Sequence, residues 1–225
     1  MRGLILGFDG VLVHERPVQA EVLRRVLSEE GLGLSEARAL AILEDRGPAV
    51  GDQQLVTRAL DAAGADGPSV PALVPRLAAR LAAYYQMRLR TDGHRPVEGA
   101  KRLVEQAHER GWMLALLSSS PRPEVESALE RLGVQPLFKT VVAGVDIEAS
   151  AFQDIWQQLN SRPPLPSRLL HPHEVLVLRA SPRAVEAAVA AGLVAVGLST
   201  RHPASSLAAE RVIDHPGELL APIKQ

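Results

Sequence analysis

Leu4-Ile5-Leu6-Gly7-Phe8-Asp9-Gly10-Val11-Leu12-Val13 is the stretch on which the fold turns. Leu4 to Phe8 is a short apolar run that stops at Asp9-Gly10, the pattern of a buried strand followed by a turn. From Pro17 the period changes. Val22, Leu23, Val26 and Leu27 share one helical face, and Gly31 and Gly33 close that helix. Further helices are expected at 36–43, 53–63 and 70–89, the last carried by Val70, Val74, Leu77, Leu81 and Tyr84. After Pro96 helices and strands alternate. Helices are expected at 97–110, from Pro123 through Leu132, at 151–159 and at 183–191; strands at 113–117, 140–143, 175–178, 194–198 and near Val212-Ile213. Asn160–His173, with four prolines, reads as an irregular loop. Apolar strands alternating with amphipathic helices imply a parallel sheet covered on both faces. The expected fold class is therefore α/β: a doubly wound, Rossmann-like core of residues 1–15 and 93–225, interrupted after its first strand by a helical insert over 16–92.

Composition narrows the function classes. The chain has 225 residues, a formal net charge of −1, 46% hydrophobic and 23% charged residues. It suits one large domain, or one domain with an insert, and can bury a core. No apolar run reaches the ~18 residues of a membrane helix, and the N-terminus meets Asp9 too early for a signal-peptide core. Cysteine is absent, which excludes disulfides, thiolate zinc sites and cysteine nucleophiles, and fits a cytoplasmic location. With 3% aromatics and no basic excess, nucleic acid is not an expected partner, and neither is a membrane. His171-x-His173, in the proline-rich loop, is not expected to hold a metal.

Four motifs in chain order carry a resemblance. They are Phe8-Asp9-Gly10-Val11-Leu12-Val13; Leu117-Ser118-Ser119-Ser120-Pro121-Arg122; Ala151-Phe152-Gln153-Asp154-Ile155-Trp156; and Ala180-Ser181-Pro182 with the helix that follows it. On these the chain resembles the haloacid dehalogenase-like superfamily, in the helical-cap branch similar to phosphoglycolate phosphatase and β-phosphoglucomutase. The resemblance covers nearly the whole length. It implies a crevice at the carboxyl ends of parallel strands, where helix N-termini and backbone N–H groups favour anions. It also implies phosphoryl transfer to an aspartate, a second aspartate as acid/base, a serine and a lysine on the phosphate, and acidic residues around magnesium.

Several of those positions hold other residues here. Gly7 stands at the nucleophile position, His14 where an aspartate often follows, Ser150 at the lysine position and Arg179-Ala180 at the acidic pair. Lysine occurs only at positions 101, 139 and 224, and Lys139 would have to reach across the sheet. The expectation that follows is a relative without the family's phosphatase or phosphomutase activity, with no cofactor and its magnesium site lost. Its role would be that of a small-anion or protein-binding module. The alternative is a phosphatase-type hydrolase with an unconventional active site, using another nucleophile or a water held by Asp9. The candidate residues are Asp9 as a vestigial acid/base, with Gly10, Ser118, Ser119 and Arg179 for an anion. Each has a structural reading beside it. Asp9 can accept N–H groups within its own turn, and Ser118 and Ser119 can cap a helix. For Arg179 two outcomes compete, a salt bridge to Asp9 that closes the site, or an external anion bound alongside the two serines.

Overall fold

The computed structural model describes residues 2–44, 51–163 and 168–220. The chain begins with β1 (Gly3–Leu6), β2 (Val13–His14) and four helices, α1 (Arg16–Ser28), α2 (Glu36–Glu44), α3 (Asp52–Ala62) and α4 (Val70–Thr91). It continues through β3 (Arg95–Pro96), α5 (Ala100–Glu109), β4 (Met113–Ser118), α6 (Arg122–Leu132), β5 (Phe138–Ala143) and α7 (Ala149–Ser161). It closes with β6 (Val175–Arg179), α8 (Pro182–Ala190), β7 (Val194–Leu198) and β8 (Arg211–Ile213). These elements form two compact units, one of Met1–Val13 with Pro96–Gln225, the other of His14–Arg95.

The first unit is built on a six-stranded sheet of order β5-β4-β1-β6-β7-β8, parallel in every pairing. Such pairing needs crossover helices, and these cover both faces of the sheet. The side-chain alternation of β1 shows it directly. Leu4 and Leu6 join a core with Leu103, Val104 and Leu129 of α5 and α6, whereas Ile5 joins Phe152, Ile155 and Val185 of α7 and α8. With a helix layer on either side, each strand position meets apolar partners, and the strand reads as an unbroken apolar run. The fold class is the α/β, Rossmann-like one expected. α5 starts three residues later than the pattern suggested, because Gly99 takes φ +78° at its N-cap and Val97 turns into the core instead. The loop after α7 likewise starts later, at Arg162, and residues 164–167 of that stretch lie outside the described residues.

The second unit has a core of its own, with Leu23 and Leu27 of α1, Leu43 of α2, Leu55 and Leu60 of α3, and Leu77 and Leu81 of α4. In α4 the fully packed tyrosine is Tyr85, whose hydroxyl lies 3.2 Å from the buried carboxylate of Glu15. Tyr84 is instead half-buried and donates to Glu29 near the surface. Among the described residues no helix is long and apolar enough to cross a membrane.

Candidate active site

The strand order places β4, β1 and β6 side by side, so the turns after Ser118, Leu6 and Arg179 open at one end of the sheet. After β1 the chain reverses through backbone bonds, Leu12 N–H to Phe8 O at 2.8 Å and Gly10 N–H to Val13 O at 2.7 Å. Gly10 takes φ +75°, and a Cβ there would sit 2.3 Å from Cδ of Arg201 and 2.7 Å from Cβ of Ala180. Glycine is thus required twice, by the left-handed backbone and by the side chains packed on it. The Thr200 hydroxyl donates to Gly10 O, tying the loop after β7 to this turn.

Asp9 forms an ion pair with Arg201, Nη1 to Oδ2 at 2.6 Å, with only 10% and 12% of the two side chains exposed. Of the two outcomes that competed for Arg179, the salt bridge to Asp9 is therefore corrected: Asp9 pairs with Arg201. Sequence reasoning missed Arg201 because its role depends on β7 lying two strands from β1. Its one local signal is a polar run, Ser199-Thr200-Arg201-His202, directly after an apolar strand. His202 beside it has its imidazole pKa lowered, first by burial and then by the Arg201 charge.

Arg179 does face inward. It is 7% exposed, and its Nη1 donates to Leu117 O at 2.7 Å. Its guanidinium lies 5.6 Å from the ring centroid of Phe152 in α7. Burial pulls its pKa down to about 10, with Asp9 acting in the opposite sense, so it is a cation at neutral pH. A Cβ on Gly7 would lie 3.2 Å from Nη1 and 3.3 Å from Cζ of Arg179. The guanidinium thus borders the place where a side chain at position 7 would begin.

Ser118 is buried at the end of β4, and its Oγ accepts the N–H of Ser120 at 3.0 Å. Neither Ser118 nor Ser119 caps α6, whose N-cap is Pro121 and has no side-chain cap. Ser181 is a true cap, accepting from Ala184 N–H at 3.3 Å at the start of α8. Ser150 is exposed in the first turn of α7. Lys139 is held elsewhere, donating at 2.6 Å to Leu159 O near the end of that helix. The site thus gathers one carboxylate, two guanidinium groups and a serine hydroxyl at one sheet end. That set can bind an anion and hold a water or hydroxyl by a fixed carboxylate.

The family profile described as haloacid dehalogenase-like hydrolase matches residues 1–192. The chain belongs to the haloacid dehalogenase-like hydrolases. Phosphoglycolate phosphatase of Rhodospirillum rubrum is 31% identical over 225 residues, covering 95% of this chain and 87% of that protein. The chain spans 53% of the length of one curated relative and 98% of another. A predicted phosphoglycolate phosphatase of Haemophilus somnus 129pt shares the fold with a TM-score of 0.78 at 21% identity, covering 98% of this chain and 96% of that one. YfnB of Bacillus subtilis, solved bound to magnesium, has a TM-score of 0.70 at 16% identity, covering 97% and 96%.

These findings overturn two expectations. The reading of this haloacid dehalogenase-like chain as a binding module without hydrolase activity is corrected, since its relatives carry phosphatase names over most of its length. The hydrolase alternative is the one they support. The expectation of no cofactor and a lost magnesium site is corrected too, because a protein of this fold and family binds the ion. Those expectations rested on substituted motif positions alone, and substitution at a position does not exclude activity from the residues that remain.

Proposed function

We propose that this chain is a phosphatase-type hydrolase of small phosphate monoesters, with an active site built around Asp9 in place of a carboxylate at position 7. What carries the reading is the Asp9–Arg201 pair, fixed at the strand ends of a chain related along most of its length to phosphoglycolate phosphatases. Magnesium fits this site through one residue. The ion keeps most of its ligands as substrate phosphate oxygens and waters, and Asp9 would be the carboxylate that accepts hydrogen bonds from those waters. Bound, it would polarise a phosphoryl oxygen.

The chain's own residues have the following roles. Arg201 holds the Asp9 carboxylate in one orientation. Asp9 accepts a proton from a water whose oxygen attacks phosphorus in line. The new oxygen–phosphorus bond forms as the ester oxygen–phosphorus bond breaks; the departing alkoxide takes a proton from solvent water to leave as the alcohol, and Asp9 returns the proton it accepted to solvent. Charge on the phosphoryl oxygens is met by fixed donors at the sheet ends, the Ser118 hydroxyl among them. The substrate is a small anion, with neither nucleic acid nor membrane as a partner. The compartment proposed is the cytoplasm, on the strength of the cysteine-free sequence.

The test is hydrolysis of a panel of phosphate monoesters that includes phosphoglycolate, with magnesium present. Steady release of phosphate is expected, falling by about 10²- to 10⁴-fold in Asp9→Asn, the usual worth of a general base. Release of no phosphate from any member, or equal rates in parent and variant, would overturn the proposal.

A further inference from the structure

We infer that Arg179 is a ligand of the phosphoryl group, its guanidinium forming the floor of an anion subsite at the end of the sheet where β4, β1 and β6 lie side by side. The inference deepens the hydrolase reading and rests on it for its role in turnover, though the binding itself is measured separately. A guanidinium carries five N–H donors and is always charged near neutral pH. In Arg179 one hydrogen bond is made, to the neutral carbonyl of Leu117, although the residue is only 7% exposed. No carboxylate among the described residues forms an ion pair with it, because Asp9, the nearby acid, is taken by Arg201 at 2.6 Å. A shielded cation with one neutral acceptor is a costly arrangement unless an anion completes it.

The surroundings fix the guanidinium that would meet that anion. Phe152 holds the guanidinium from α7 and Leu117 O anchors one terminal nitrogen. Gly7 supplies no side chain on its own side, and any Cβ there would press on Nη1 and Cζ at 3.2 and 3.3 Å. Glycine at 7 and arginine at 179 therefore belong together: the small residue makes room for the large cation. The planar fork that remains matches two oxygens of a phosphoryl group. A carboxylate offers the same two-oxygen edge, so the test separates the two.

The experiment is titration calorimetry of the full chain with inorganic phosphate and, separately, with acetate. Circular dichroism melting of each variant accompanies it. Phosphate is expected to bind the parent and to bind Arg179→Gln about tenfold to a hundredfold more weakly, with Arg179→Lys in between. Acetate is expected to bind more weakly than phosphate. Equal phosphate affinity in parent and Arg179→Gln, absence of phosphate binding by the parent, or acetate binding as tightly as phosphate would each overturn the inference. Should Arg179→Gln fail to fold, Gly7→Ala decides. Its methyl group meets Val11 Cγ2 at 3.1 Å and the guanidinium at 3.2 Å, so it shifts the fork without removing the charge; weakened phosphate binding supports the subsite and unchanged binding refutes it. Phosphate binding that depends on Arg179 in a protein that turns over no monoester leaves the subsite standing and removes the hydrolase reading. Turnover that is indifferent to Arg179→Gln does the reverse.

Discussion

At Gly10 a left-handed backbone, φ +75°, meets side chains on both sides of the missing Cβ. Gly10→Ala is expected to cost about 1–3 kcal/mol in urea denaturation, through backbone strain and displacement of Arg201. It should also lower turnover, since Arg201 positions Asp9. A variant as stable as the parent would mean that the Arg201 stem moves aside freely. The requirement for glycine at 10 was half legible, because Asp-Gly after an apolar run marks a turn. The Arg201 stem beneath it was not. Residues 9 and 201 are far apart in sequence, and only the sheet order brings them together. The same holds for Arg179. Its inward direction followed from its place at the end of β6, but its partner did not, because choosing between Asp9 and Leu117 O takes coordinates.

Among the elements, α7 shows how a residue type can mislead and its context correct it. Lys139 is one of three lysines, and the family uses a lysine at the site, yet its ammonium caps the carboxyl end of α7 through Leu159 O. Cations there meet the helix dipole and an unpaired carbonyl. Lys139→Met is expected to lose about 1 kcal/mol of stability in chemical denaturation and to leave phosphate release unchanged. A large loss of turnover would place this lysine in the site after all. The short helical turn Pro172–Glu174 before β6 carries a pH-dependent contact. Hydrogen bonds from Arg168, and then the His171 N–H, pull Glu174 from its ordinary 4.5 to about 2. Its folded pKa lies below the unfolded one, so its stabilisation is present above pH 4.5 and is lost as pH falls towards 2. Melting curves of parent and Glu174→Gln should therefore differ near neutral pH and converge in acid. A gap that persists at the acid end would contradict the contact. The strands were legible because each is an apolar run with flanking turn residues. Helix ends were less so, since Gly99 at the start of α5 acts through its backbone angle and not through any cap side chain.

For the whole molecule, the two compact units have separate cores. Leu23 is fully buried in the helical unit, and Leu23→Ala should destabilise that unit by about 2–5 kcal/mol. Circular dichroism during denaturation would register it, and a shift near zero would contradict so tight a core. At this scale the family and the α/β class were legible from four ordered motifs, while activity was not. Counting replaced motif residues measures what a chain lacks, and the Asp9–Arg201 pair and the buried Arg179 are what this chain has instead. The central claim is that water, held by Asp9, attacks phosphorus directly, with no carboxylate at position 7 to carry the phosphoryl group. The steric course of hydrolysis, followed in isotopically labelled water with a phosphorothioate monoester made chiral at phosphorus by the other two oxygen isotopes, so that the thiophosphate released is itself chiral, tests this most directly. One in-line displacement predicts inversion of configuration at phosphorus; retention, the mark of two displacements through a phosphorylated enzyme, would contradict it.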